Sequence, residues 1–110
     1  MVASVLRVYD SAPGLVEALE SHMDEIEGLF RSVKGFRSWT YHRTDAGGGF
    51  SLTVCDDKAG CDESVKLAAN WIRENMPNAS AISPPVITEA TAVVRITPTE
   101  RLTGGQPATV

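Results

Sequence analysis

The sequence lacks the features that mark several large classes of protein. Its two cysteines, Cys55 and Cys61, are too few for a disulfide scaffold, and their spacing of six fits neither a CxxC redox pair nor a zinc knuckle. No apolar run approaches the roughly 20 residues that a membrane-spanning helix needs. The net charge is −4, and no cluster of lysine and arginine offsets it. We therefore expect neither a nucleic-acid partner nor a membrane partner.

Sequence signatures of catalysis are also missing. There is no G-x-S-x-G motif and no recognisable Ser/His/Asp set. The two histidines have no regular spacing to a carboxylate, which argues against a metal site. The triple glycine Gly47–Gly49 is not followed by a helix, so it does not form a phosphate-binding loop. We therefore expect no metal and no cofactor.

Length and composition are those of one small globular domain. The chain has 110 residues, of which 43% are hydrophobic and 22% are charged. Its first ten residues, MVASVLRVYD, follow a strand pattern instead of the charged and apolar regions of a signal peptide. The expected location is therefore the cytoplasm, with both thiols reduced. A chain this short is often stabilised further by oligomerisation.

A β-hairpin at residues 35–57 is the best-defined element. Phe36–Arg43 is rich in the aromatic, β-branched and polar residues of a half-buried strand. In Phe50–Cys55, apolar and polar residues alternate. Asp45–Gly49 between them has turn chemistry, because glycine reaches positive φ freely and aspartate can bond its own backbone. Strands joined by so short a link must pair antiparallel.

The elements around this hairpin predict the fold class. They are a strand at Val2–Tyr9, helices at Ala12–Phe30 and Lys58–Asn75, and a last strand at Val86–Thr97. The order β-α-β-β-α-β is that of the ferredoxin-like fold, an α+β architecture with both helices on one face of a four-stranded antiparallel sheet. Pro98–Val110 is polar and contains Gly and Pro, which predicts a flexible C-terminal tail after a domain of residues 1–97.

Each predicted helix has one apolar stripe. The stripe residues are Val16, Leu19, Met23, Ile26 and Phe30 in the first helix, and Cys61, Val65, Ala68, Ile72 and Met76, with Trp71 at the flank, in the second. The sheet face that no helix covers still carries apolar and aromatic residues, which predicts a partner. We expect a homodimer, since most soluble oligomers are symmetric homo-oligomers.

Four segments resemble the dimeric α/β-barrel proteins of the antibiotic-biosynthesis-monooxygenase-like superfamily, and in particular its small uncharacterised bacterial members. They are Val-Lys-Gly-Phe-Arg-Ser-Trp (33–39), the glycine hairpin, Cys-Asp-Asp-Lys-Ala-Gly (55–60) and Ala-Asn-Trp-Ile-Arg-Glu-Asn-Met-Pro (69–77). The resemblance extends over residues 1–97. In that superfamily the sheets of two subunits close a barrel, and ligands bind each subunit between its sheet and its helices. The resemblance therefore implies a dimer with a pocket of this kind.

Members of that superfamily carry out two known chemistries. Some oxidise polyphenols without metal or flavin, because the substrate itself activates oxygen. Others degrade haem with an asparagine on the first strand and a histidine on the second long helix. Here Arg7 is the conspicuous polar residue of the first strand, and the second helix contains no histidine. The resemblance therefore favours cofactor-independent oxidation over haem degradation.

Aromatic and basic residues of the first two strands are the candidate ligand-binding residues. Trp39, Tyr41 and Arg43 share one face of the second strand, and Arg7 joins them from the first. An aromatic wall with guanidinium groups suits a planar, anionic ligand, here a small aromatic one. Trp71 of the second helix is the fifth candidate. In the alternative interpretation, the aromatic residues pack in the core or the dimer barrel and the arginines pair with carboxylates.

His42 and His22 are the candidate catalytic residues, because a histidine can act as a general base near neutral pH. His42 falls on the opposite strand face from Trp39, and His22 lies beside the apolar stripe of the first helix. A structural or surface role is the alternative for both. Cys61 lies near a helix N-terminus, where the pKa of a thiol can fall, so it is either a reactive thiol or a small buried residue.

Two functions are compatible with these residues. The first is a small-molecule-binding protein that acts as a cofactor-independent monooxygenase on an aromatic or quinol-type substrate. The second is a non-catalytic dimeric module for binding or interaction. The first predicts a pocket with polar groups pointing in, whereas the second predicts a pocket filled by side chains.

Overall fold

The computed structural model describes residues 2–76, 79–99 and 101–103. In chain order the elements are β1 (Ala3–Tyr9), α1 (Leu15–Ser21), α2 (Met23–Arg31), β2 (Phe36–Arg43), β3 (Gly49–Cys55), α3 (Lys58–Asn75), β4 (Val86–Thr91), β5 (Val94–Ile96) and β6 (Arg101–Thr103), with a 3-10 turn at Ala79–Ala81 before β4.

Strands β1 to β4 form one sheet in the order β2-β3-β1-β4. All neighbours pair antiparallel, and the register places Arg7 between Ser51 on β3 and Ile87 on β4. Helices α1, α2 and α3 pack on one face, which we call the inner face, and the opposite face is the outer face. This is the predicted ferredoxin-like α+β fold with a four-stranded antiparallel sheet, and the prediction is confirmed.

The first helix was predicted as one element over Ala12–Phe30, and that prediction is wrong, because the helix breaks at His22. His22 has φ −124° and ψ 31°. Its imidazole Nδ1 donates to the Ala18 carbonyl at 2.8 Å, and its backbone N–H turns to the Leu19 carbonyl at 3.2 Å. The side chain thus occupies the acceptor that an uninterrupted helix would give to the backbone N–H of the same residue.

The break also changes which residues form the apolar stripe. Leu15, Ile26 and Phe30 are buried, whereas Met23, predicted in the stripe, is 50% exposed. Helix α3, by contrast, has the predicted bounds, and its first turn is capped by the Asp57 carboxylate, which accepts from the Gly60 N–H at 3.1 Å.

Trp71 lies deeper than its predicted position at the flank of the second helix. It is 4% exposed and belongs to the core between the helices and the sheet. Its indole Nε1 donates to Glu25 Oε1 at 3.1 Å, so a residue of α2 fixes the orientation of a ring on α3. A tryptophan can be buried in this way because its one polar atom has a partner.

The last strand, predicted as Val86–Thr97, is two strands. Strand β4 ends at Thr91, opposite Ala3 at the start of β1, and the Ala92 N–H makes a final bond to the Val2 carbonyl at 2.9 Å. Beyond this point β1 offers no further partner, and β5 pairs with β6 as a separate two-stranded sheet. Residues 104–110 of the predicted tail lie outside the described residues, so its flexibility stays a prediction.

Apolar side chains remain uncovered on the outer face. Val8, Leu52 and Val86 are 36%, 37% and 66% exposed, and they lie on three adjacent strands. Successive side chains of a strand point to opposite faces of the sheet. Half of them therefore lie under the helices, and the other half lie on the outer face. The sequence predicted apolar side chains on the face that no helix covers, and a partner was expected for that reason.

Candidate functional site

Two cavities lie beneath the helices, and both are lined by Arg7 and Tyr9 of β1 and by Ile72 of α3. The first, which we call the aromatic cavity, has a volume of about 30 Å³. That is room for a water molecule or two. Its lining residues are Arg7, Tyr9, Leu15, Leu19, Ile26, Leu29, Phe30, Trp39, Tyr41, Ser51, Ala68, Trp71 and Ile72.

The second, which we call the aliphatic cavity, lies between α3, β1 and the segment before β4. Its volume is about 170 Å³. Apart from Arg7, Tyr9 and Ser83, its walls are aliphatic or proline side chains. The lining residues are Arg7, Tyr9, Val65, Ala69, Ile72, Ile82, Ser83, Pro84, Pro85 and Ile87.

Arg7 is the charged group that the two cavities share. It is 3% exposed, and its Nε donates to Ser51 Oγ at 3.1 Å. In the described part of the chain, no carboxylate lies within ion-pair distance of its guanidinium. Burial lowers the pKa of Arg7, and the nearby Tyr9 raises it in part. An arginine nevertheless keeps its proton in proteins, so the site holds a buried positive charge without an opposite charge.

Aromatic rings form the opposite wall of the aromatic cavity. Trp39 stacks on Phe30 with ring centroids 4.6 Å apart. Its indole Nε1 is buried and has no hydrogen-bond partner among the described residues. Tyr41 crosses Gly49 of the neighbouring strand, where a Cβ atom would collide with its hydroxyl. The site therefore places two groups with unused donors around one cavity: the Trp39 indole and the Arg7 guanidinium, of which only Nε is used by a described residue.

The two tyrosines of the site are protonated. Burial raises the pKa of Tyr9, which Arg7 lowers in part. Burial and then Tyr9 raise the pKa of Tyr41. Each phenol is therefore a hydrogen-bond donor near neutral pH, and neither is a base.

The structure brings together four of the five predicted ligand-binding residues: Arg7, Trp39, Tyr41 and Trp71 all line the aromatic cavity. It does not bring Arg43 there. Arg43 is exposed at the end of β2 and lines neither cavity. Its side chain lies on the same face of β2 as those of Trp39 and Tyr41, but the cavity does not extend to this end of the strand.

The predicted catalytic histidines lie outside both cavities. His42 is on the outer face, stacked on Phe50 with centroids 4.6 Å apart, and its Nε2 lies 3.2 Å from Thr40 Oγ1. His22 lies behind Trp71 and contacts it edge-on at 5.5 Å. His22 is thus placed to orient a wall of the site, while His42 belongs to the uncovered sheet face.

Two polar lining residues of the aromatic cavity escaped the sequence analysis. Tyr9 follows Arg7 by two positions, and strand alternation alone puts both on the inner face. Ser51 lies directly opposite Arg7 in the register of β1 and β3. A signal for Tyr9 was present in the alternation, whereas Ser51 depends on the register, which is not visible in the sequence.

Cys61 has the environment of a small buried residue. It is 1% exposed, and burial, together with Cys55, raises the pKa of its thiol to about 12. A thiol that holds its proton so firmly is a poor nucleophile. Among the described residues, no group of three or more His, Cys, Asp or Glu side chains could hold a metal ion. No described helix is long and apolar enough to cross a membrane.

Known proteins share the fold at low sequence identity. No family model and no curated protein matches the sequence. A candidate antibiotic biosynthesis monooxygenase from Bordetella bronchiseptica has 13% identity and a TM-score of 0.62, over 84% of this chain and 97% of its own. The ActVA-Orf6 monooxygenase of Streptomyces coelicolor, solved with the ligand nanaomycin D, has 20% identity and a TM-score of 0.58, over 88% and 90%.

A third similar structure is SnoaB of Streptomyces nogalater, a cofactor-independent oxygenase. It has 19% identity and a TM-score of 0.57, over 90% of this chain and 98% of its own. The chain therefore has the fold of antibiotic-biosynthesis-monooxygenase-like proteins, as the resemblance of its sequence predicted. Likeness at this level establishes the fold, and function has to be argued from the site.

Proposed function

We propose that the protein binds a small aromatic anion between its sheet and its helices and acts as a cofactor-independent monooxygenase on an aromatic or quinol-type substrate. The observation that carries the proposal is Arg7, a buried guanidinium without a carboxylate partner among the described residues. Buried charges are normally paired, and an unpaired one in a cavity marks a place for an anionic ligand. The monooxygenases among the structures of the same fold support the choice of reaction.

The guanidinium acts on the ionisation of the substrate. A positive charge next to a phenol favours the phenolate and lowers the pKa of the phenol. The effect is strong in a dry site, because the lining of the aromatic cavity is largely apolar and screens little. Arg7 thereby supplies what a general base would otherwise supply, since both candidate histidines lie outside the cavities and Tyr9 and Tyr41 are protonated.

The electrons for the reaction come from the substrate. An ionised phenol or hydroquinone is electron-rich and reacts with O₂ itself. One oxygen atom enters the ring and the other leaves as water, while the substrate becomes a quinone and supplies all the electrons. No further reductant is needed. The protein binds the phenolate, orients its ring and excludes water.

The active form in this proposal is a homodimer located in the cytoplasm. The dimer forms through the outer face, where Val8, Leu52 and Val86 present exposed apolar side chains. Burial of the outer face in a dimer would remove apolar surface of three strands from water. The location is proposed from the free thiols of Cys55 and Cys61, which a reducing compartment maintains.

A non-catalytic dimeric binding or interaction module is the second candidate function. One observation favours it: the aromatic cavity holds only about 30 Å³, so its side chains nearly fill it. A module of this kind would use the outer face and leave the inner cavities without chemistry.

The decisive experiment measures O₂ uptake by metal-free and flavin-free protein with a panel of phenols and hydroquinones. We expect uptake above the rate in buffer, with one atom of labelled O₂ in the product. Arg7→Met should abolish it, and Arg43→Met, which removes an exposed arginine outside both cavities, should leave it unchanged. Ligand binding without O₂ uptake would favour the non-catalytic module, and absence of any binding would refute the proposed site.

A further inference from the structure

We propose that the body of the ligand occupies the aliphatic cavity and that this cavity restricts ligands to a single six-membered ring carrying an oxyanion. The inference rests on the proposed function and names the substrate class of the same site. It departs from the simplest use of the aromatic residues, in which the ligand would stack on Trp39.

Cavity size is the first argument. The aromatic cavity, at about 30 Å³, has no room for a ring. The aliphatic cavity has about 170 Å³. An engineered apolar cavity of about 150 Å³ in another protein takes up one benzene molecule. The aliphatic cavity therefore has room for one ring, and a second fused ring would extend out of it.

One wall of the aliphatic cavity, the segment before β4, is tied to the rest of the fold. Ser83 is bound to Ser11, at the end of β1, by three hydrogen bonds. The Ser83 N–H and Oγ both donate to the Ser11 carbonyl at 3.0 Å, and the Ser11 N–H donates to Ser83 Oγ at 2.9 Å. Pro84 and Pro85 follow directly, and their rings fix the backbone φ.

Charge is the second argument. Arg7 is the charged residue of the aliphatic cavity, while Val65, Ile72 and Ile82 contribute apolar walls. A ligand in this cavity meets the polar groups of Arg7, Tyr9 and Ser83 and hydrocarbon elsewhere. The guanidinium has five N–H donors and no acceptor, and only its Nε is used by a described residue. An oxyanion next to an apolar ring matches this arrangement, and a neutral ring of equal size does not.

Volume and charge together define the ligand as a one-ring phenolate or carboxylate. Both ligand classes place an oxyanion on one aromatic ring. They differ in the acidity of the free ligand, since a phenol is a weaker acid than a carboxylic acid. A phenol bound beside Arg7 should ionise at a lower pH than the free phenol. A carboxylate is already ionised at neutral pH and shows no such change.

A matched series of coloured ligands tests the proposal. The probes are 4-nitrophenol, its neutral methyl ether 4-nitroanisole, the two-ring analogue 4-nitro-1-naphthol, and benzoate as the carboxylate. Binding is measured by calorimetry, and ionisation of the bound phenol by its visible absorbance. We expect 4-nitrophenol to bind at least ten-fold more tightly than 4-nitroanisole and 4-nitro-1-naphthol, and its ionisation midpoint to move to lower pH on binding. Tight benzoate binding without a midpoint shift for 4-nitrophenol would identify the carboxylate as the ligand class.

Variants of Val65 locate the ligand. Val65 lies on α3 and lines the aliphatic cavity. We expect Val65→Phe to abolish binding of 4-nitrophenol, and Val65→Ala to bind 4-nitro-1-naphthol more tightly than the unmodified protein does. Val16→Phe is the control, because Val16 is partly buried on α1 and lines neither cavity. The gain by Val65→Ala is a readout that misfolding cannot produce.

Two results overturn the inference. One is that 4-nitro-1-naphthol and 4-nitrophenol bind the unmodified protein equally tightly and that Arg7→Met abolishes the binding of both. The proposed function would then stand, and the size limit would be refuted. The other is unchanged binding of 4-nitrophenol by Val65→Phe, which would place the ligand outside the aliphatic cavity. If no probe binds at all, the binding site of the proposed function fails together with this inference.

Discussion

Replacement of Arg7 by methionine should stabilise the free protein. Arg7 is 3% exposed and has no carboxylate partner among the described residues. A buried charge of this kind costs several kcal/mol, even after the structure relaxes around it. Methionine keeps a long, flexible, apolar side chain in the same space and removes the charge. The stability that this buried charge costs should therefore return when the charge is removed.

The magnitude follows from two opposing contributions. Replacing a complete buried ion pair by apolar side chains is neutral or stabilises a protein by about 1–4 kcal/mol, and we expect a gain within this range for the lone charge of Arg7. Against this, the change removes the hydrogen bond to Ser51 Oγ at 3.1 Å. Leaving that hydroxyl unsatisfied costs about 1–3 kcal/mol. We expect a net gain of about 1 kcal/mol, which raises the melting temperature of a domain of this size by roughly 4 °C.

Thermal unfolding without ligand measures this gain, with Arg43→Met as the matched control. Arg43 is exposed, so its replacement should change stability by less than about 0.5 kcal/mol. Adding Ser51→Ala to Arg7→Met removes the unsatisfied hydroxyl and should raise the melting temperature further. A fall of several degrees in Arg7→Met, with no change in the control, would refute the reasoning, because the guanidinium would then support the fold.

Three further predictions concern the rest of the molecule. Light scattering at micromolar concentration should give the mass of a dimer. Leu52→Glu on the outer face should halve this mass, whereas Met23→Glu on α2 should leave it unchanged. A monomeric mass for the unmodified protein would contradict the dimer. Deletion from Pro98 onward should leave the melting temperature unchanged, because β6 pairs with β5 and not with the four-stranded sheet; a loss of several degrees would show that the segment docks. Neither thiol should react with a thiol reagent at pH 8 in the folded protein, and both should react in urea; reaction of the folded protein at the unfolded rate would contradict the burial of Cys61. Because its pKa rises from 9.0 to about 12 on folding, the stability that this thiol provides is complete below pH 9 and is lost as the pH approaches 12.

Features that depend on neighbours in the sequence were predictable. The hairpin strands and the bounds of α3 follow from local alternation and spacing, and both agree with the structure. The same alternation put Trp39 and Tyr41 on one face, and both line the aromatic cavity. Strand parity needs no knowledge of the tertiary structure, so Trp39 and Tyr41 could be placed on one face of their strand from sequence alone. Their meeting with Arg7 of another strand depends on the sheet register, and there the expectation agrees with the structure.

Features that depend on distant contacts were not predictable. At the break, the His22 imidazole binds the Ala18 carbonyl one turn away and contacts Trp71 of another helix, which is the distant part of the arrangement. A residue without proline or glycine character gives no local sign of such a break. His42 was a candidate base because sequence parity does not tell which sheet face the helices cover. The answer comes from packing, which puts His42 on the outer face.

Two buried polar groups without hydrogen-bond partners in the described part of the chain lie on adjacent strands of the inner face. Trp39 Nε1 and Thr53 Oγ1 are buried without hydrogen-bond partners among the described residues, and their residues lie opposite each other in the register of β2 and β3. Arg7 lies two positions from Val5, the β1 neighbour of Thr53. Each such group costs stability, so packing alone would have selected apolar residues at these positions. Their position on adjacent strands supports the proposal that this part of the inner face binds a polar ligand, which would complete the hydrogen bonds that the fold leaves open.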